Sequence, residues 1–188
     1  MSIDALLSLM PPHAGAGMDV DWEAMESTWR TPFPTDYKEF VKHYGAGSVE
    51  NFLSIFQPSL DASGRMADET SVAQELWEEL EGIPGIEAEP DRILTWAVDG
   101  TADLLCWLRR DDNPDEWPVV VYKRLRDEWE QYDCGMAEFL VRVFRAEFTR
   151  NPISATAMWG VATPLFLTHQ EAARIRESGR DPWEGVVE

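Results

Sequence analysis

The chain has 188 residues, of which 35 are acidic and 16 basic, so its formal net charge at pH 7 is −19. This charge argues against nucleic acid and anionic membranes as direct partners, because binding to phosphate groups needs lysine and arginine. The hydrophobic fraction of 44% and the nine tryptophans are sufficient for a substantial core. The composition predicts one domain with modest extensions. It leaves open whether the charge steers a cationic partner or only maintains solubility.

The sequence contains no recognisable motif for a metal, a cofactor, a catalytic nucleophile, a secretion signal or a membrane span. The two cysteines, Cys106 and Cys134, form no CxxC pair, and no histidine pattern completes a zinc site. No P-loop, Rossmann glycine pattern or nucleophile elbow is present, so we expect neither a cofactor nor a metal. The amino-terminal stretch has no basic region of a secretion signal, and no apolar run approaches the roughly 20 residues of a membrane span. We therefore expect a reduced, cytoplasmic protein without membrane association.

The first quarter of the chain predicts two helices after an irregular start. Residues 1–20 are rich in proline, glycine and alanine, and we expect a loose lead-in there. A short helix is expected over residues 22–29. The next helix is the clearest, since Thr35 can cap its start and Gly45 or Gly47 can end it. Its apolar side chains fall at helical spacing, at Tyr37, Phe40, Val41 and Tyr44.

A strand and an acidic helix are expected next. Residues 48–56 are apolar and β-prone, which predicts one strand. Ser71 and Gln74 have the spacing of a capping box, so a helix should begin at Ser71 and stop near Gly82. The face of this helix opposite its apolar side chains carries several carboxylates, including Glu75, Glu78 and Glu79.

Three short β-branched or aromatic runs follow, over residues 92–98, 103–110 and 117–124, with a weaker fourth at 128–132. An Asp-Gly pair separates the first two runs, which is a hairpin signal. Strands this close in sequence predict an antiparallel meander.

The last part of the chain predicts two more helices. Asp133 is expected to cap a helix with an apolar side formed by Met136, Phe139, Leu140, Val143, Phe144 and Phe148. Residues 150–188 read as a carboxyl-terminal extension. It should contain a helix that starts at the capping box of Thr168 and Glu171.

An ordered set of residues runs through this pattern: Pro34, Tyr37, Phe40, Gly45, Trp96, Asp99, Gly100, Asp103, Trp107, and Trp117 with Pro118. The set resembles the SUKH superfamily, which includes fungal cell-wall-assembly regulators and many bacterial immunity proteins. The resemblance implies an α+β fold, an antiparallel sheet of about four to six strands with helices packed against it, which we place over residues 21–149. It also implies that bacterial members bind and neutralise toxins, often nucleases, and it supplies no catalytic residues.

The connection between the second and third β runs holds four carboxylates within six positions, at Asp111, Asp112, Asp115 and Glu116. Asp111, Asn113 and Asp115 match the first three ligand positions of a calcium-binding EF-hand loop. The loop also needs glycine and glutamate at its sixth and twelfth positions, where this chain has Glu116 and Tyr122. We therefore predict a solvated turn, not a metal site.

Two acidic segments are candidate surfaces for a protein partner. We name them the acidic loop (residues 111–116) and the acidic helix (residues 74–81). The hypothesis includes Trp117, which follows the loop and could be either a contact or part of the core. Trp96 and Trp107 are expected in the core. Neutralising all four loop carboxylates should then slow association and leave thermal stability almost unchanged.

Three function classes remain at this stage. The first is an immunity-type protein that neutralises a cognate toxin, which could be basic and act on nucleic acid. The second is an intracellular adaptor or regulator of the same fold, with a peptide-binding groove and a regulatory tail at 150–188. An enzyme of unrecognised type is the third, and we expect no enzyme. The sequence does not specify the oligomeric state.

Overall fold

The computed structural model describes residues 3–184. Its helices are α1 (Ile3–Leu9), α2 (Trp22–Trp29), α3 (Thr35–Tyr44), α4 (Arg65–Glu79), α5 (Met136–Phe144) and α6 (His169–Glu177). Its strands are β1 (Gly47–Val49), β2 (Leu53–Ile55), β3 (Ile93–Asp99), β4 (Leu104–Leu108), β5 (Val119–Lys123), β6 (Glu128–Tyr132) and β7 (Phe166–Thr168). The fold is α+β, as expected. None of the helices within residues 3–184 has the length and apolarity to cross a bilayer.

All strands belong to one antiparallel sheet with the order β6-β5-β4-β3-β2-β1-β7. The meander from β3 to β6 is confirmed. The sheet exceeds the expected four to six strands for two reasons. Residues 48–56 fold as a hairpin instead of one strand, because Glu50 and Asn51 take φ values of 52° and 58° and reverse the chain. The carboxyl-terminal extension adds β7 beside β1.

Two hydrophobic layers cover the sheet. On one face, α1, α3 and α5 enclose the larger core, where Trp96 and Trp107 are fully buried as predicted. The predicted apolar face of α3 is confirmed, since Tyr37, Phe40, Val41 and Tyr44 are all buried. On the other face, α4 lies against β3 and places Trp77 over a second cluster. The acidic helix α4 therefore lies on the sheet face opposite α3 and α5, whereas the acidic loop joins two strands of the sheet itself.

The start of α4 differs from the prediction. The helix begins at Arg65, six residues before the expected capping box, after Gly64. Ser71 lies inside the helix, and its hydroxyl donates to the carbonyl of Ala67 at 3.2 Å. The spacing of Ser71 and Gln74 therefore does not mark a helix start, and the Ser71 hydroxyl makes the backward bond that is typical of serine inside a helix.

The amino-terminal lead-in is partly helical. Residues 3–9 form α1, which packs on α5, and both Leu6 and Met10 are fully buried. The hydroxyl of Tyr44 donates to the carbonyl of Met10 at 2.6 Å, which fixes the end of this segment to α3. The Pro/Gly-rich composition applies to the stretch after α1, and the short apolar run before it supplies core side chains.

Two buried aspartates fasten the carboxyl-terminal extension to the β3–β4 hairpin. The Asp99 carboxylate accepts hydrogen bonds from the Thr101 hydroxyl and from backbone N–H groups that include Ala155 at 3.2 Å. The Asp103 carboxylate accepts from the N–H groups of Arg124 at 2.9 Å and Ser154 at 2.7 Å. These two residues of the family pattern therefore have a structural role.

The predicted carboxyl-terminal helix is confirmed as α6. The hydroxyl of Thr168 accepts from the N–H of Glu171 at 3.1 Å, as its capping box requires.

Candidate functional site

The acidic loop connects β4 to β5 and folds as a turn, as predicted. The carboxylate of Asp111 accepts from the N–H of Asn113 at 3.0 Å, and the Asn113 side chain accepts from the N–H of Asp115 at 3.2 Å. Such bonds make asparagine and aspartate favourable in turns. All four loop carboxylates are exposed. Within residues 3–184, no group of three or more His, Cys, Asp or Glu side chains is placed to hold a metal ion.

Asp115 differs from the other loop carboxylates because it caps a helix. Its two oxygens accept from the backbone N–H of Thr35 at 2.6 Å and from the Thr35 hydroxyl at 2.9 Å. Thr35 is the first residue of α3 and not its cap, since the cap position belongs to Pro34, which has no side-chain acceptor. A carboxylate 80 residues away in sequence therefore satisfies the start of α3.

The start of α5 is capped in the same way by a residue of α3. The Asp36 carboxylate accepts from the N–H of Ala137 at 2.9 Å through Oδ2. The expected cap, Asp133, lies outside the helix, and Gly135 occupies the cap position without a side-chain acceptor. A Cβ at Gly135 would lie 2.8 Å from Oδ2 of Asp36, so glycine permits this close approach. Burial raises the pKa of Asp36, and the hydrogen bond from Ala137 opposes that rise.

Trp117 is a core residue that is hydrogen-bonded to the acidic loop. Its side chain is 3% exposed, and its indole N–H donates to the carbonyl of Asp111 at 2.7 Å. Trp117 also lines a groove of about 440 Å³ where α3, the loop and α5 meet. This groove is lined by Ile3, Pro34, Thr35, Asp36, Glu39, Pro114, Asp115, Trp117, Cys134, Gly135 and Glu138.

The acidic helix contributes a separate surface. Glu75, Glu78 and Glu79 are exposed on α4, which covers the sheet face opposite α3 and α5. A larger groove, of about 700 Å³, runs between the end of α4 and the adjoining ends of β3 and β4. Its lining includes Arg92, Arg109 and Arg110, and Arg110 also lines a small cleft beside the acidic loop. The two predicted acidic segments thus lie near the same end of the sheet with arginines between them.

The buried thiols offer no activated nucleophile. Burial raises the pKa of Cys106 to about 12 and that of Cys134 to about 12, so both remain protonated at neutral pH. The Cys106 thiol and the Thr95 hydroxyl lie 3.2 Å apart inside the sheet layer. Both cysteines therefore behave as small core residues.

Sequence reasoning located the exposed acidic loop, but its assignment as a partner-binding surface stays a prediction. It missed the two capping contacts, because Thr35 and Asp115, and likewise Asp36 and Ala137, are far apart in the chain. It also missed the groove between α4 and the arginines. The Arg-Arg pair at 109–110 was the one sequence signal for that groove.

The fold and this surface define a class of protein: an α+β scaffold that presents an acidic loop and two grooves at one end of a helix-covered antiparallel sheet. The chain belongs to the SMI1-KNR4 cell-wall family of the SUKH superfamily, whose family model matches residues 19–140. The match ends within α5, so β7 and α6 lie outside it. Comparisons with curated proteins and with solved structures returned no match.

Proposed function

We propose that the protein is a bacterial, cytoplasmic immunity protein that binds a cognate toxin stoichiometrically and neutralises it. The observation that carries the proposal is the acidic loop, which holds three exposed carboxylates, Asp111, Asp112 and Glu116, on an anchored turn. Membership of the SUKH superfamily supports a binding role, since that superfamily includes bacterial immunity proteins.

Electrostatics supports a basic partner. A chain with a net charge of −19 attracts a cationic protein over a distance set by the Debye length, about 8 Å at physiological ionic strength. A toxin that acts on nucleic acid needs a basic surface to bind phosphate groups. Carboxylates on the acidic loop would occupy that surface and so block the active site.

The alternative is an adaptor or regulator with no toxin partner. The groove of about 440 Å³ favours it, because a peptide could lie between α3 and the acidic loop. In this alternative the carboxyl-terminal extension would be regulatory. The hydrogen bonds from Ser154 and Ala155 to buried aspartates hold that extension in the fold, which gives less support to a mobile regulatory tail.

Co-purification with the product of the neighbouring gene, followed by a toxicity-rescue assay in cells, tests the proposal. We expect a one-to-one complex, and we expect co-expression to restore growth. A gene with no toxin-like neighbour, or a neighbour whose toxicity persists despite co-expression, would contradict an immunity role and favour the adaptor.

A further inference from the structure

The groove between α4 and the arginines is built around Trp77. Gly82, at a φ of 63°, reverses the chain after α4, and its N–H donates to the carbonyl of Trp77 at 2.9 Å. The Trp77 indole N–H donates to the carbonyl of Ala88 at 2.9 Å. These bonds hold residues 80–89 around the ring and form one wall of the groove. Glu78, Glu81, Glu87 and Glu89 lie along that wall, and all four are exposed.

The opposite wall carries the reverse charge. Arg92, Arg109 and Arg110 provide three of the 16 basic residues of the chain. The ends of β3 and β4 bring them together, since the N–H of Arg109 donates to the carbonyl of Arg92 at 2.9 Å. Between the walls, Trp77, Ile86 and Ala88 supply apolar surface. The groove is therefore bipolar in a chain that is otherwise strongly acidic.

Arg109 lines this groove and has one side-chain donor without a hydrogen-bond partner. One terminal nitrogen donates to the carbonyl of Asp91, whereas Nε is buried and has no hydrogen-bond partner. Arg92 and Arg110 each have a long ion pair, with Asp91 at 4.0 Å and with Asp133 at 3.9 Å. Within residues 3–184, no carboxylate lies within 4.0 Å of the Arg109 guanidinium, although acidic residues outnumber basic ones by about two to one. Burial lowers the pKa of Arg109, and the charge of the nearby Asp91 carboxylate opposes that shift without forming an ion pair. Partly buried charges of this kind are usually paired.

We propose that this groove recognises a segment of the protein partner that directs a carboxylate to Arg92, Arg109 and Arg110. The same segment directs a lysine or arginine to the glutamate wall. The inference rests on the proposed function in one respect, namely that the partner is a protein. A guanidinium binds a carboxylate through parallel hydrogen bonds, so Arg109 can fix the orientation of that segment.

Such a contact would add specificity to the attraction between unlike net charges. The acidic loop favours any cationic protein, whereas the arginine wall repels a partner with a basic residue at that position. A partner would therefore need a local pattern of charge as well as an overall positive charge.

Two short peptides test the inference without the toxin. The probes are acetyl-Lys-Leu-Glu-amide and acetyl-Lys-Leu-Gln-amide, titrated into the full-length protein and followed by NMR at the arginine Nε–Hε groups. We expect the glutamate peptide to bind about tenfold more tightly than the glutamine peptide, because only the former pairs with a guanidinium. Arg109→Gln should reduce this preference.

Arg145→Gln is the matched control, since Arg145 is an exposed arginine outside the groove and the charge change is the same. It should keep the preference for the glutamate peptide. If Arg109→Gln fails to fold, the double variant Arg92→Gln/Arg110→Gln replaces it, because both side chains are more than half exposed.

Equal binding of the two peptides, absence of saturable binding, or an undiminished preference in the groove variants would overturn the inference. A failed co-purification together with a positive titration would instead overturn the immunity proposal alone.

Discussion

Thr35 and Asp115 join the start of α3 to the acidic loop, through a backbone N–H and a hydroxyl that both donate to one carboxylate, at 2.6 and 2.9 Å. The contact satisfies donors that α3 cannot satisfy itself, and it holds the loop against the helix layer. All four loop carboxylates are exposed, but Asp115 differs from the other three because it also caps a helix.

Removal of this cap should destabilise the protein. We expect Asp115→Ala to lower the free energy of unfolding by about 1 kcal/mol, the usual cost of a lost helix cap. Asp112→Ala is the matched control in the same loop, and it should change stability by less than about 0.5 kcal/mol, because an exposed surface residue contributes little. Urea denaturation with constant m-values measures both. Equal stability of the two variants would show that the Thr35 contact contributes nothing.

The expectation that neutralising all four loop carboxylates leaves thermal stability almost unchanged is therefore revised. It holds for Asp111, Asp112 and Glu116, but it does not allow for the cap that Asp115 provides. Tests of partner binding at this surface should leave Asp115 in place.

The carboxyl-terminal extension should loosen when its buried anchor is altered. In Asp103→Asn, an amide replaces one of the two oxygens that accept from the N–H groups of Arg124 and Ser154, so one donor loses its partner. We expect a loss of about 1 to 3 kcal/mol in unfolding free energy. Hydrogen exchange of the Ser154 amide should also become faster. Unchanged exchange at Ser154 would contradict the anchoring role of Asp103.

Glu50 should make stability depend on pH in an unusual direction. Burial raises its pKa above the ordinary value of 4.5, and the hydrogen bond from the N–H of Leu165 opposes that rise. The ionised form is therefore unfavourable in the folded state, so Glu50→Gln should gain stability relative to wild type above the raised pKa. As pH falls through the raised pKa toward 4.5, the wild type should recover this difference. Thermal unfolding at a series of pH values measures it.

Glu130→Gln provides a control of opposite sign. Burial acts to raise the pKa of Glu130, but hydrogen bonds from Lys123 and Tyr132 lower it below 4.5 overall. The ion pair with Lys123, at 2.6 Å, should thus stabilise the wild type above pH 4.5, and this contribution should be lost as pH falls through the lowered pKa. If the stability difference from wild type changed with pH in the same direction for both variants, the opposite pKa shifts of Glu50 and Glu130 would be contradicted.

The sequence predicted the elements whose signals are local. The spacing of Tyr37, Phe40 and Tyr44 identified the buried face of α3, and the short β runs identified the meander. The local signal misled at Ser71, where a capping-box spacing lies inside a helix. At residues 48–56 the apolar composition was correct, but it did not reveal the turn at Glu50 and Asn51.

The site could be predicted only in part, because its geometry depends on contacts between distant residues. Exposure of Asp111 and Asp112 followed from turn composition. The capping of α3 by Asp115 and of α5 by Asp36 depends on how the helices pack, and no sequence pattern encodes it. The burial of Trp117 likewise follows from the position of the loop above it.

The rate of complex formation tests the central claim most directly, namely that the acidic loop meets a basic partner. The measurement is stopped-flow association with the neighbouring gene product at a series of salt concentrations, comparing wild type with Asp111→Asn/Asp112→Asn/Glu116→Gln. The control is Asp19→Asn/Glu23→Gln/Glu177→Gln, which removes the same charge at exposed positions elsewhere. We expect the loop variant to associate about tenfold more slowly at low salt and to show a flatter salt dependence than the control. Identical rates and salt profiles for the loop and control variants would contradict the account.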